Sequence, residues 1–199
     1  MKITPTKILK IDADWTDVKN ECRNTVNKDA TETPATKTFI KNILISEHSP
    51  IRLVSVKWRW EGLKSWVSVH FARHWLGVDK WVSTQRSDRT NNNRDKAPQD
   101  TPVNMDMRAN AQALINIARF RLCRQASPET RAQMEDLKRT ISKHEPELAF
   151  VMQPNCVYRC GCPEFEQCGF WRAFCERHKD DDLLDIENRY RLADEEFYK

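Results

Sequence analysis

The residues best suited to chemistry fall in two short stretches. The first is HFARHWLGVDKWVSTQR, residues 70–86, which holds His70, Arg73, His74, Ser83, Gln85 and Arg86. The planar fork of an arginine makes two parallel charged hydrogen bonds to phosphate, and a serine hydroxyl adds a donor to the same oxygens. No general base lies near Ser83 in the sequence, so anion binding suits it better than nucleophilic attack. The second stretch runs from Cys156 to His178 with the pattern C-x3-C-x-C-x5-C-x6-C-x2-H, and it holds five of the seven cysteines. Thiolates in tetrahedral array bind zinc and can organise an irregular segment with little core of its own. The expectation is one structural zinc on Cys156, Cys160, Cys162 and Cys168. An iron–sulfur cluster and reduced free thiols are the other readings. Cys22 and Cys123 lie in apolar helical stripes and read as ordinary buried residues.

Composition sets the frame for these residues. The 199-residue chain is 39% hydrophobic and 31% charged, with seven Trp and eight Phe, which is enough for a core beneath a heavily charged surface. Only four glycines occur, and neither GxGxxG nor GxxxxGK[ST] is present, so the common dinucleotide and P-loop fingerprints are excluded. The formal charge of +4 is unevenly spread, because residues 176–199 carry nine acids against five bases. The basic remainder favours phosphate-bearing partners, either nucleotides or nucleic acid. No apolar run approaches ~18 residues, which argues against a membrane-spanning helix. The opening MKITPTKILKIDADW has no uninterrupted apolar stretch of the kind a secretory leader needs. A cytoplasmic location is therefore expected, where structural disulfides are disfavoured.

Helices and strands must position these groups. Residues 2–11 read as a strand weakened by Pro5. Asp12 to Asn27 reads as a helix capped by Asp14, and Lys37 to Glu47 as a second. Ile51 to Trp60 is rich in β-branched and aromatic residues and reads as a strand. A helix over Leu63 to Leu76 and a strand over Val78 to Ser83 follow. Residues 87–104 read as a loop. Met105 to Arg124 reads as a long helix, and Pro128 to Lys143 as another, with Ser127 as its cap. Phe150 to Cys168 is irregular, and the end is helical. Without regular βαβ alternation the class is α+β with a small antiparallel sheet. Two parts are expected: residues 1–150, and a Cys-rich segment with an acidic tail over 151–199.

Across residues 40–150 the sequence resembles the flavin-dependent thymidylate synthases. That family carries Arg-His-Arg, seven residues, then Ser; this chain has Arg73-His74-Trp75, seven residues, then Ser83. Glu47-His48 looks like the family's Glu-His pair at a helix end before a strand. Asn110-Ala111-Gln112, Asn116 and Arg121 resemble the Asn-Ala-Arg stretch, second Asn and later Arg of a long helix. Ala132-Gln133-Met134-Glu135 resembles a motif on the next helix. The departures are Trp75 for an arginine, Trp81 for a carboxylate, Gln85 for an arginine and Gln112 for another arginine.

The resemblance implies a small mixed fold and an enzyme that moves a one-carbon unit from methylenetetrahydrofolate to C5 of deoxyuridylate, or of a related pyrimidine nucleotide. FAD carries the hydride and NADPH reduces it. The implied nucleotide-binding residues are His70, Arg73, Ser83, Gln85, Arg86, Arg94 and Arg121, with Arg121 activating the pyrimidine. The implied flavin-binding residues are His48, Pro50, Arg73, His74, Trp75, Asn110, Gln112 and Asn116. Sites built between subunits of a homotetramer are also implied. The alternative is a catalytically altered relative that binds nucleotides or nucleic acid, using Trp75 and Trp81 as stacking platforms beside a zinc knuckle.

Overall fold

The computed structural model describes residues 3–90 and 93–197; the strand expectation at residue 2 and the loop expectation at 91–92 lie outside them. One antiparallel sheet has the order β1-β2-β4-β3, with β1 at Lys7–Asp12, β2 at Ser55–Lys64, β3 at Val78–Val82 and β4 at Pro102–Asn110. The helices are α1 (Trp15–Asn24), α2 (Lys37–Ile45), α3 (Ser65–Ala72), α4 (Ala111–Arg121), α5 (Pro128–Ile141), α6 (Pro146–Val151), α7 (Asn155–Tyr158), α8 (Phe170–Arg177) and α9 (Ile186–Phe197). The class is α+β, as the sequence implied.

The central strand β4 corrects the sequence reading, which placed Met105 to Asn110 in a helix and ended the preceding loop at 104. Val103, Met105, Met107 and Ala109 are buried, while the residues between them face the other way. That period of two is a strand pattern. Met and Ala are good helix formers locally, and the sheet overrides them. The helix begins one residue after Asn110, whose Oδ1 accepts from the Ala113 amide at 2.9 Å. This cap satisfies one of the donors that every helix start leaves open.

β2 pairs with β4 along its length and bulges near Gly62, whose φ is +80°. It starts at Ser55, later than expected, because Ser49–Leu53 winds into a 3-10 turn opened by Pro50. It also runs on to Lys64, so α3 starts at Ser65 and ends at Ala72. Trp58 and Trp60 are fully buried, and Trp60 lies 5.7 Å from Trp58 and 4.7 Å from Phe71 between ring centroids. On the other face Arg59 grips Asp106, its direct cross-strand partner, through bonds of 2.6 and 2.8 Å. Asp14 and Ser127 cap α1 and α5 as expected.

Residues beyond 150 join the same core: Val157, Phe170, Phe174, Leu192 and Ala193 are buried with the residues above. Lys138 of α5 is 2% exposed and donates to Asp194 of α9 at 2.7 Å. Gln153 donates to the same Asp194 oxygen at 2.7 Å. Among the described residues, no helix is long and apolar enough to cross a membrane.

Candidate active site

After α3 the chain turns through Arg73–Gly77 before entering β3, and that turn lies against the start of α4. Gly77 makes the close approach possible. Its φ is +68°, its carbonyl accepts from the Asn110 amide at 3.1 Å, and a Cβ here would stand 2.5 Å from Asn110 Nδ2. Only glycine tolerates that backbone and that contact together. Asn110, read as a flavin contact, is thus also the cap of α4 and the floor of the turn.

A cleft opens between the turn and α4. One hollow of about 220 Å³ is lined by Arg73, His74, Trp75 and Leu76 on one side and by Asn116, Ile117 and Phe120 on the other. It continues into a hollow of about 280 Å³ with Arg52, Gly77, Asn110, Gln112 and Asn116 on its walls. Gln112, Asn116 and Phe120 recur every four residues, so one helical face presents them all. Trp75 is 71% exposed at the rim and Phe120 54%.

His74 is tied to the far end of α4. Its Nε2 accepts from Arg121 Nε at 2.9 Å, so the neutral ring carries its proton on Nδ1. Arg121 also donates to the His70 carbonyl at 2.7 Å. Burial, then the charges of Arg121 and Lys80, push the His74 pKa down to about 4. The ring is therefore uncharged at neutral pH. Burial and then Arg73 lower the pKa of Arg121 itself. His70, expected at the nucleotide, lines neither hollow; its Nδ1 lies 2.8 Å from the buried Thr130 hydroxyl.

A second groove of about 350 Å³ is lined by Ser83, Gln85, Arg86 and Arg94 together with Ser65, Ser68 and Val69 of α3. Four sequence-predicted nucleotide ligands therefore share one surface. Ser83 Oγ accepts from the Asn104 amide at 2.9 Å and keeps its own O–H to donate. Gln85 Nε2 is buried with no hydrogen-bond partner among the described residues. Arg86 is engaged by Asp88 through bonds of 2.9 and 2.6 Å, which competes with the phosphate role expected of it. The two surfaces are joined through α3 and β3, but Arg121, expected to activate the pyrimidine, lines neither hollow nor the groove and is held by His74 and the His70 carbonyl.

The sequence matches no protein-family model and no curated protein. Solved structures do match. A flavin-dependent thymidylate synthase ThyX from Helicobacter pylori, complexed with FAD and dUMP, superposes with a TM-score of 0.59 at 11% identity, covering 72% of this chain and 97% of that one. The chain has the ThyX fold. The UMP/dUMP methylase PolB from Streptomyces cacaoi, bound with 5-Br dUMP, gives a TM-score of 0.58 at 13% identity, covering 76% of this chain and 96% of that one.

On this ThyX fold, His48 and Pro50 line neither surface, and His48 caps the 3-10 turn without a side-chain hydrogen bond. Arg52, four residues on from His48, stands in the cleft instead; nothing in its spacing marked it out. Glu47, read only as the first half of the Glu-His pair, and Arg119 were given no role in the site. Glu47 accepts from Gln112 Nε2 at 2.5 Å and from Arg119, which also donates to Asn116 Oδ1 at 3.0 Å.

The zinc expectation gains no support from the structure. Among the described residues no three His, Cys, Asp or Glu side chains are arranged to hold a metal ion. Cys160, with φ of +53°, directs its thiol to the Leu183 carbonyl at 3.6 Å, away from Cys156, Cys162 and Cys168. Cys156 is buried, and desolvation first and neighbouring thiols second push it up to about 12. Cys168 is exposed. Cys123, Cys162 and Cys168 are the thiols Cys156 feels, so Cys160 is the member of the expected set that turns elsewhere.

Proposed function

We propose that this protein is a flavin-dependent enzyme that methylates a pyrimidine deoxynucleotide, deoxyuridylate or a close relative. Methylenetetrahydrofolate provides the one-carbon unit and NADPH the reducing equivalents. The observation that carries this reading is the grouping of the motif residues. Arg73, His74, Asn110, Gln112 and Asn116 line one continuous cleft, and Ser83, Gln85 and Arg94 line a groove reached from the same strand.

The residues present suit FAD. Trp75 and Phe120 offer exposed aromatic faces for a planar ring. Gln112 and Asn116 offer amide hydrogen bonds along the same wall. Arg52 stands beside the start of α4, where the positive end of the helix dipole favours a phosphate. Bound there, the flavin supplies hydride.

The chain's own residues bind, orient and polarise. In the groove, the Ser83 hydroxyl, the unpartnered Gln85 Nε2 and the Arg94 guanidinium take the nucleotide phosphate. A buried donor left unpaired costs about 1–3 kcal/mol, so an acceptor at Gln85 Nε2 is favoured. The resemblance gives Arg121, held by His74 and the His70 carbonyl at the edge of the site, the task of favouring negative charge over the uracil carbonyls and N3, which makes C5 nucleophilic. Losing one such fixed donor costs about 3 kcal/mol, or roughly 10²-fold in rate. Neutral His74 adds no competing positive charge and keeps Arg121 in one orientation.

Apolar side chains rim both surfaces: Trp75, Leu76 and Phe120 the cleft, and Val69 and Val82 the groove. This supports a homo-oligomer, a tetramer by resemblance, in which the cleft of one copy meets the groove of another. Absorbance spectra of the purified protein with added FAD, before and after deoxyuridylate, test the reading. A bound flavin band that shifts with nucleotide is expected. A protein that binds neither ligand, or a monomer by light scattering, refutes it.

A second reading rests on Trp81, which is 53% exposed with Lys57 Nζ 5.3 Å from its ring. A half-buried cation beside an exposed aromatic ring suits single-stranded nucleic acid. Salt-sensitive oligonucleotide binding by a colourless protein would favour it.

A further inference from the structure

We propose that Tyr158, in the C-terminal segment, is a positioning residue for the cleft: its ring holds Arg119, which fixes the Asn116 amide directly and the Gln112 amide through Glu47, the two amides that face the bound ligand. The inference rests on the cofactor reading of the cleft.

The contacts form one chain. The Arg119 guanidinium carbon lies 3.4 Å from the centroid of the Tyr158 ring, inside the range where a cation is held by an aromatic face. One Arg119 amino group donates to Asn116 Oδ1 at 3.0 Å and the other to Glu47. Arg119 Nε is buried with no acceptor among the described residues, so hydrogen bonds alone do not satisfy the guanidinium and the ring face supplies part of its environment. The second Glu47 oxygen accepts from Gln112 Nε2 at 2.5 Å. The Glu47 and Arg119 side chains are only 18% and 13% exposed, so solvent screens these contacts little. Glu47 also holds a φ of +51°, a conformation costing a non-glycine residue about 1 kcal/mol, which persists only when its surroundings hold it.

The consequence for recognition is specific. An amide whose oxygen accepts from Arg119 has its NH₂ left to donate, so Asn116 offers a donor to the cleft. Gln112 gives its NH₂ to Glu47 and so offers an acceptor. These two residues sit one helical turn apart on the lining face. A donor and an acceptor at that spacing complement the edge of a cyclic imide, which presents a carbonyl oxygen beside an N–H. Tyr190, buried against the same group, has its phenol pushed up to about 12 by burial, with Arg119 and Glu47 among the charges it feels.

The test compares Tyr158→Leu, which keeps bulk and removes the ring face, with Tyr158→Phe, which keeps the face. In the full-length protein FAD affinity is read from flavin fluorescence, and the side-chain amide signals of Gln112 and Asn116 from NMR without ligand. Tyr158→Leu is expected to weaken FAD binding about tenfold and to shift both amide signals; Tyr158→Phe restores both. If Tyr158→Leu binds FAD like the wild type with unmoved amide signals, the inference is overturned. If the wild type binds no FAD, the cofactor reading fails, and the amide signals alone decide the positioning role. Equal loss in both variants also overturns it, because the ring face would then not be what holds Arg119.

Discussion

His74 makes stability depend on pH in a way that can be isolated. Its pKa is lowered from 6.5 to about 4, first by burial and then by Arg121 and Lys80. In the unfolded chain the ring takes a proton as pH falls through 6.5. In the folded chain it does so only near 4. The unfolded state therefore binds more protons across this window, and stability is full above it and falls as pH drops through it. Each pH unit is worth about 1.4 kcal/mol, so a gap of this size would be about 3 kcal/mol for a fully buried ring. Partial exposure and solvent screening reduce that to about 2 kcal/mol. The perturbation is His74→Gln, which keeps an acceptor for Arg121 and removes the titration. Urea unfolding of both proteins from pH 7.5 to 4 gives the difference directly. His70, whose pKa is also lowered, contributes to both and cancels. The wild type should lose about 2 kcal/mol relative to the variant between pH 6.5 and 4. A pH-independent difference would show that His74 is not held neutral, and with it the arrangement of Arg121 would fail.

Other consequences follow from the same geometry. Gly77→Ala forces a Cβ to 2.5 Å from Asn110 Nδ2 at a φ of +68°, and should destabilise by about 2–3 kcal/mol in urea unfolding while Gly62→Ala, with open space around it, costs less. Lys138→Met leaves Asp194 without its buried cation, and is expected to cost about 3 kcal/mol, most of it recovered by adding Asp194→Leu. At pH 8 a thiol reagent should modify exposed Cys168 rapidly and Cys156 only on unfolding, since burial keeps that thiol protonated; mass mapping of the labelled peptides decides.

Much of the site was legible because its chemistry is carried by local spacing. Arg73-His74 ends a helix, and Ser83 closes the next strand, as the order of residues implied. Asn110 and Asn116 do reach one cleft, because Asn110 caps the helix whose face carries Asn116. The failures lie where distant segments decide. Met105 to Asn110 looks helical residue by residue, yet it is the strand that pairs on both sides, and only its alternation records this. Glu47 meets Gln112 and Arg119 across more than sixty residues, so no window shows that it fixes two amides. Arg52 enters the cleft because Pro50 opens a 3-10 turn that aims it there. Cysteine spacing grouped Cys160 with Cys156, Cys162 and Cys168, whereas the further thiol Cys156 feels is that of distant Cys123, and a left-handed Cys160 turns its own to Leu183.

Release of tritium from C5 of labelled deoxyuridylate tests the central claim most directly. With FAD, NADPH and methylenetetrahydrofolate present, this protein should release tritium to water and form a methylated nucleotide, and Arg121→Gln should lower that rate roughly 10²-fold. Flavin and nucleotide both bound, with the C5 label retained, would contradict it.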